Sequence, residues 1–400
     1  MPATPTAFPK ILFVNDFRPD AQALGDLVRQ LLLGYPAEKI HWWHCRETDR
    51  YKKPDLHAAS VQGCCIPNKL VPHFRWTGIK CSLLETFWAP RAARYLERTI
   101  AEVKPDIIWI LLGGWTMAAV ERTRFPADAR IHITMCDMPD NNGARGTLGA
   151  ARCQRRMDTV VRLVGQATSF SGGGHEMVAE MHQRTGRKDG LVIHSGFEPQ
   201  HLTALENAPA ETAADGVIRL AYVGTIISEK DFLAMLAALK KIRSQISQKI
   251  VLEFFGGRNY QSRAWFDPEW MTEHGMFTDE GLVAALHRCV WGVVVMDSCG
   301  EDLQYSRFSF PNKVGTCLSA GVPVLGFGHP TSSLAHIMQA HRMGHFTAAT
   351  APAELENFWL ESLRVPSPRA VFRDDILRCA QTEFNAAEMR ANLWRRLGVK

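Results

Sequence analysis

Two lysines, each beside the expected start of a helix, are the residues of this sequence best placed to do chemistry. The first closes residues 220–230, LAYVGTIISEK. An apolar strand pattern runs up to Gly224, a short loop with Thr225 follows, and Ser228 with Asp231 three residues on has the spacing of a capping box. Lys230 then falls in the first helical turn. A helix N-terminus presents unpaired amides and a partial positive charge, and a lysine beside it adds a whole one, so the unit is a seat for a diphosphate. Taken by itself, the same stretch also reads as a plain strand, loop and helix with a solvated lysine. The second lysine lies in residues 309–324, SFPNKVGTCLSAGVPV. Ser309 and Pro311 suit a helix start, Asn312 and Lys313 follow at its tip, Gly321 suits the residue just past its end, and Pro323 stands where a helix cannot continue. The polar stretch 297–307, DSCGEDLQYSR, reads as a loop leading into it.

The elements that must carry these residues follow from short apolar runs alternating with helical patterns, the mark of a layered α/β protein. Strands are expected at 11–14, 107–112, 131–135, 167–170 and 191–194, with helices at 21–33, 83–103, 147–164 and 175–185 between them. Residues 204–216, ALENAPAETAADG, lack apolar periodicity and read as exposed linker. The alternation then restarts, with strands at 218–223, 250–255, 292–296 and 322–327 and helices at 229–246, 278–289, 312–319 and 332–341. Two successive α/β runs predict two Rossmann-like domains facing each other across a cleft, with ligands at the carboxyl ends of the strands. The expected division is an N-terminal domain 1–197, a linker 198–217, a C-terminal domain 218–375 and a last helical stretch 376–400.

Composition excludes several classes. The chain has 400 residues, more than one core usually holds, and is 46% hydrophobic and 22% charged, which is ordinary for a globular protein. Its net charge of +5 is compatible with an anionic substrate or a membrane surface and too weak and dispersed for a nucleic-acid protein. No apolar run is long enough to span a bilayer, and the N-terminus lacks the apolar core of a signal peptide. Ten cysteines without a CxxC pair read as reduced, mostly buried thiols of a cytoplasmic protein. His41 with His44, and His341 with His345, have spacings a metal could use but bring no third ligand, so no metal is expected. Gly172, Gly173 and Gly174 follow a strand but lack the GKS/T ending and the GxGxxG spacing, which leaves backbone permissiveness. No GxSxG elbow is present.

Five segments in this order resemble the donor-binding half of family 4-type glycosyltransferases of the GT-B fold. They are VIHSGFEP, similar to the hinge that closes the first domain; YVGTIISEKDF, similar to the glycine–loop–lysine phosphate motif; VLEFFGGR, the next strand with its turn at Gly256 and Gly257; HGMFTDEGLVAALHRCVWGVVVM, the segment that packs on the nucleotide base, with Gly275 and Met276 at its start; and FPNKVGTCLSAGVPVLGFG, the Pro-Asn-Lys signature. The match covers residues 190–345 well, and the N-terminal half matches in layout. The resemblance implies a cytoplasmic enzyme, peripheral on a membrane or free of it, that transfers a sugar with retention from a nucleotide diphosphate sugar to an acceptor hydroxyl of a polysaccharide, glycolipid or small molecule. The acceptor is bound by the N-terminal domain, and neither cofactor nor obligatory metal is needed, because preorganised cations stabilise the charge that develops on the leaving phosphate.

Carried onto this chain, the donor-binding residues are Gly224, Thr225, Lys230, Gly256, Gly257, Gly275, Met276, Ser309, Asn312, Lys313 and Thr316, with Lys230 the catalytic cation. Asp137, at the end of the strand IHITM, stands where relatives often carry a pair such as His-Asp, and becomes the candidate contact to the donor sugar or the acceptor hydroxyl; it also reads as an aspartate opening a turn before Pro139. Asp16 and Arg18, in the first loop, are the acceptor-side candidates. Arg152, Arg155, Arg156 and Arg162 lie on one expected helix, the first three on one face, and suit a lipid diphosphate, anionic headgroups or plain solvent. The last helix is expected to cross back to the first domain. Three positions depart from the family. Thr225 stands where an arginine is usual, and the places of two glutamates eight positions apart fall on Phe308 and Thr316. A threonine makes one hydrogen bond where a carboxylate would make a charge-assisted pair with ribose, a difference of about 1.5–3 kcal/mol. Lys313 is a candidate replacement for the arginine. The departures keep open a catalytically degenerate GT-B protein that acts as a binding or scaffold partner, and a GT-B epimerase acting on a UDP-N-acetylhexosamine is the third reading.

Overall fold

A computed structural model describes residues 7–19, 24–45, 57–70, 77–139, 148–209, 215–277, 279–299 and 303–400. The chain divides into two compact units, Met1–Ser195 with Glu388–Lys400, and Gly196–Ala387.

Among the described residues the first unit holds a seven-stranded sheet of β1 (Ile11–Asn15), β2 (Ile40–His44), β3 (Ser60–Gly63), β4 (Ile107–Leu112), β5 (Ile131–Met135), β6 (Ser169–Gly172) and β7 (Leu191–Val192), in the order β3-β2-β1-β4-β5-β6-β7. Every neighbouring pair is parallel. Helices on both faces bury such a sheet, which is why Ile11–Val14 of β1 and all of β4 read as apolar runs, and every residue of both strands is buried. Phe13 of β1 meets Trp42 of β2 and Trp109 of β4 edge-on, with ring centroids 4.5 and 4.7 Å apart. A polar chain crosses the same sheet: His132 bonds Ser169 and Ser171 at 2.8 and 3.0 Å, Ser171 bonds Thr134 at 2.8 Å, and Trp109 donates to Thr134 at 2.8 Å. Each polar atom has a partner, and burial pulls the His132 pKa down to about 3, so the ring stays neutral. The chain end completes this core. Leu393 and Leu397 of the helix Ala386–Leu397 pack among Ile11, Leu27 and Trp42, and Trp394 donates its indole N–H to the Leu31 carbonyl at 2.9 Å.

The second unit holds a six-stranded parallel sheet of β8 (Val217–Val223), β9 (Lys249–Phe255), β10 (Met271–Glu273), β11 (Trp291–Val295), β12 (Val324–Phe327) and β13 (Gly344–Thr347), in the order β10-β9-β8-β11-β12-β13. One face carries an aromatic core that includes Tyr222, Phe232, Phe254, Trp270, Trp291 and Trp359. The other carries Val314, Leu318, Leu334, Ile376 and Phe384.

The structure differs from the expectations at several places besides the added strands β2, β3, β10 and β13. Residues 198–217 are not a bare linker, since Pro199–Glu206 is a helix that starts on its proline and buries Leu205 in the second unit's core. The stretch 297–307 is not all loop, because Leu303–Phe308 is helical. The long first-unit helix begins at Thr77 and contains a π turn, Leu84–Trp88, before continuing as Ala89–Val103.

Candidate functional site

In both sheets the connections from the two central strands run to opposite sides, and the carboxyl ends of those strands are where open α/β sheets bind ligands. In the second unit they are β8, which ends at Val223, and β11, which ends at Val295. Gly224 leaves β8 with φ +75°, a conformation glycine adopts at no steric cost, and its N–H donates to the Phe255 carbonyl at 2.7 Å. A Cβ at Gly256 would lie 3.2 Å from the Gly224 Cα, so the turns after β8 and β9 touch backbone to backbone. Tyr260 binds them together: its hydroxyl accepts from the Ile226 N–H at 2.8 Å and donates to the Gly224 carbonyl at 3.2 Å. Glu273 fixes Tyr260 in turn, taking its N–H at 3.0 Å and that of Gln261 at 3.0 Å.

Two cations bond to this loop, and a third begins the helix that follows it. Lys313, second residue of the helix Asn312–Ser319, donates to the Tyr222 hydroxyl at 3.1 Å and to the Thr225 carbonyl, with its ammonium 4.5 Å from the centre of the Tyr222 ring. All three partners are neutral and, among the described residues, no carboxylate pairs with it. Burial without a counter-charge pulls its pKa down to about 8. Arg258, from the turn after β9, donates its Nε to the Thr225 hydroxyl at 3.4 Å. Lys230 is exposed in the first turn of the helix Glu229–Ile242. The expected cap is in place, with the Ser228 hydroxyl accepting from the Asp231 N–H at 3.4 Å. Asp231 also joins this helix to the loop after β11, accepting from the Ser298 N–H at 3.2 Å and from its hydroxyl. Lys230 borders a pocket of about 100 Å³ shared with Ser298, Cys299, Gly328 and Thr350.

The structure therefore gathers Gly224, Thr225, Gly256 and Lys313 around one loop, whose far end leads into Lys230. Gly275 and Met276 adjoin it, since the Gly256 N–H donates to the Gly275 carbonyl at 2.9 Å and a Cβ on Gly257 would come within 3.1 Å of the Met276 sulfur. Met276 itself is 74% exposed. Asn312 is exposed at the tip of its helix. Ser309 is buried, and its carbonyl accepts the Ser333 hydroxyl at 2.6 Å, so it anchors the start of this segment. Thr316 turns its hydroxyl back to the Asn312 carbonyl at 3.3 Å. Phe308 is buried with the Arg307 guanidinium 4.8 Å from its ring centre. Sequence reasoning missed Tyr222, Arg258, Tyr260 and Glu273. The only signal for Arg258 and Tyr260 was their place just after the Gly256-Gly257 turn.

Asp137, Asp16 and Arg18 belong to the first unit. Asp137 is exposed, just past the carboxyl end of β5. Asp16 follows β1, and the chain itself engages its carboxylate, which accepts from the N–H groups of Trp115 and Thr116 at 3.2 and 2.7 Å, the Thr116 hydroxyl at 2.5 Å and the Cys45 thiol at 3.0 Å. Of the arginines on the helix Ala150–Gln166, Arg152 pairs with Glu85 at 3.2 Å and Arg156 lies 4.9 Å from the Trp115 ring centre. All ten cysteines are free, and among the described residues no helix is long and apolar enough to cross a membrane.

No protein-family model matches the chain, and no curated protein does either. Solved structures do. HepE of Anabaena, in complex with UDP and glucose, superposes with a TM-score of 0.64 at 12% identity, over 98% of this chain and 100% of its own. Sucrose-phosphate synthase of Thermosynechococcus elongatus gives 0.66 at 14% identity, over 97% and 99%. The UDP-forming α,α-trehalose-phosphate synthase of Burkholderia xenovorans, in complex with glucose-6-phosphate, gives 0.62 at 10% identity, over 97% and 99%. With two parallel Rossmann-like sheets and neighbours matched over almost their whole length, the chain has the GT-B fold of glycosyltransferases.

Proposed function

We propose that this protein is a glycosyltransferase that takes a sugar from a nucleotide diphosphate sugar and transfers it, with retention, to the hydroxyl of a sugar, lipid-linked or small-molecule acceptor. The observation that carries this reading is the Lys313 ammonium, held without a carboxylate partner against the loop that runs from Gly224 to Lys230. A half-buried cation in that state gains from an anion, because part of the cost of desolvating it is already met by the fold. Lys313 and Arg258 receive the diphosphate where it passes the Gly224 turn. Arg258 reaches Thr225 from the neighbouring loop, and so brings a guanidinium to the place where relatives carry their arginine. Lys230 stabilises the charge that develops on the phosphate oxygen as the glycosidic bond breaks. Gly257 and Met276 offer the turn and exposed thioether against which the base stacks. In the first unit, the exposed Asp137 holds a sugar hydroxyl. Two neighbours contain UDP or form it, so uridine diphosphate sugars are the first donors to test.

A second reading is favoured by Phe308 and Thr316. Neither can supply a carboxylate to the donor's ribose, and a protein with this site could bind a nucleotide sugar without turnover. Release of nucleotide diphosphate across a panel of UDP- and GDP-sugars, with and without acceptor sugars, separates the two. Turnover supports the transferase. Tight binding of a nucleotide sugar with neither hydrolysis nor transfer supports the second reading. Nuclear magnetic resonance of the product's anomeric proton tests retention.

A further inference from the structure

Burial and charge diverge along the helical segment 77–98 of the first unit. Its inner side is core: Cys81, Leu84, Trp88, Ala92 and Leu96 are all buried. Its outer side is apolar at one end and basic at the other. Ile79, Leu83 and Phe87 follow one another at four-residue spacing, with Ile79 54% and Phe87 69% exposed. Continuing at about one turn each, Arg91, Tyr95 and Arg98 extend the stripe, with Arg94 beside it, all four exposed. The π turn sets adjacent aromatic rings to opposite fates, since Trp88 is 5% exposed beside Phe87 and donates to the Cys64 carbonyl at 3.1 Å.

We propose that this outer face docks on the surface of an anionic lipid bilayer, with Ile79, Leu83 and Phe87 entering the boundary between headgroups and acyl chains and Arg91, Arg94 and Arg98 meeting the phosphates. Three observations select this occupant. The exposed positions from 78 to 98 carry no acidic residue. The two acids of the segment are turned elsewhere, Glu85 to Arg152 at 3.2 Å and Glu97 to the Arg124 N–H at 2.8 Å. The three arginines form no ion pair among the described residues, which leaves their charge for an external anion. An apolar ridge continued by unpaired arginines and an exposed tyrosine is the pattern of an interfacial helix, whose binding combines apolar burial with attraction to anionic lipid. Trp88 ties the apolar end to the carboxyl edge of the sheet, where its ring lies 6.4 Å from that of Trp115 after β4. This inference stands apart from the transferase reading, because it concerns only where the first unit rests.

The test is sedimentation of the purified full-length chain with vesicles of phosphatidylcholine alone and of phosphatidylcholine with phosphatidylglycerol. The wild type pellets with the phosphatidylglycerol vesicles, less at high salt, and little with phosphatidylcholine alone. The double variant Ile79→Ser/Phe87→Ser and the triple variant Arg91→Gln/Arg94→Gln/Arg98→Gln each lose on the order of tenfold in partitioning. All five positions are exposed, so circular dichroism and melting temperature stay unchanged. The single variant Phe87→Trp keeps binding and shows a blue-shifted indole emission on vesicles. No pelleting by the wild type, or pelleting equal in wild type and both variants, overturns the proposal. So does sedimentation equilibrium showing that the ridge joins two copies of the chain, with Ile79→Ser/Phe87→Ser abolishing the dimer.

Discussion

At the carboxyl edge between β1 and β4 a carboxylate closes the first sheet; at the corresponding edge between β8 and β11 of the second, ammonium and guanidinium groups stand around a glycine turn. The strand orders correspond across these edges, so the difference owes nothing to topology. Asp16 takes up the free N–H groups at the turn after β4 and binds both central strands' loops into one structure. Gly114 is the price of that closure, with φ +44° and room for a Cβ only 1.7 Å from Asp16 Oδ2. In the second sheet the corresponding joint, Asp231 to Ser298, lies one helical turn further on, and the loop before it stays open to Lys313 and Arg258. At the first edge the Asp16 carboxylate is satisfied from within, by two N–H groups, a hydroxyl and a thiol. The other holds the Lys313 ammonium against neutral partners, with no carboxylate paired to it among the described residues, so two edges of matching strand order differ in the charge they carry.

Four changes would break or sharpen this contrast. The largest effect is expected from Lys230→Ala, which removes a cation from the developing phosphate charge and lowers kcat/KM by about 10²–10³ with little change in melting temperature. Steady-state kinetics with the best donor checks it; an unchanged kcat/KM would remove Lys230 from the reaction. Next, Gly114→Ala drives a methyl into the Asp16 carboxylate at a positive φ, and a loss of about 2–4 kcal/mol is expected in urea unfolding. If its midpoint matches wild type, the closed edge is less rigid than described.

Lys313→Ala is expected to weaken nucleotide diphosphate binding about ten- to a hundredfold by calorimetry. The pH dependence sharpens this. The folded pKa of about 8 lies below the ordinary lysine value of 10.5. Between them the unfolded chain holds a proton the folded one does not, so this group makes the unliganded protein more stable as pH rises through that window. Diphosphate binding runs the other way. It needs the ammonium, so affinity falls above about pH 8, and the Lys313→Ala variant loses that dependence. The smallest effect is expected from Arg258→Ala, a loss of about tenfold or less in donor affinity, since the guanidinium is exposed and screened.

Much of this was legible in the sequence because central parallel strands are continuous apolar runs: 11–14, 107–112 and 250–255 stood out for that reason. The edge strands β3, β10 and β13 did not. SVQG, MTE and GHFT are short and at most partly apolar, because an edge strand is covered on fewer sides. β2 escaped for another cause, its histidines breaking the run although Trp42 and Trp43 are buried. Within the site, the cap at Ser228 and the glycine after the helix at Gly321, with φ +65°, were readable because they are local rules. Tyr260, which ties two loops together across 36 residues, and Arg258, which reaches Thr225 from another strand's turn, arise from tertiary approach, and no spacing in the chain announces them.

The most direct test of the central claim is calorimetric titration of the full chain with UDP, GDP, uridine and guanosine near neutral pH, repeated on Lys313→Ala. At least one nucleoside diphosphate is expected to bind, its nucleoside far more weakly, and the variant to lose most of that difference. Equal affinity for diphosphate and nucleoside, or no binding of either diphosphate, would contradict it.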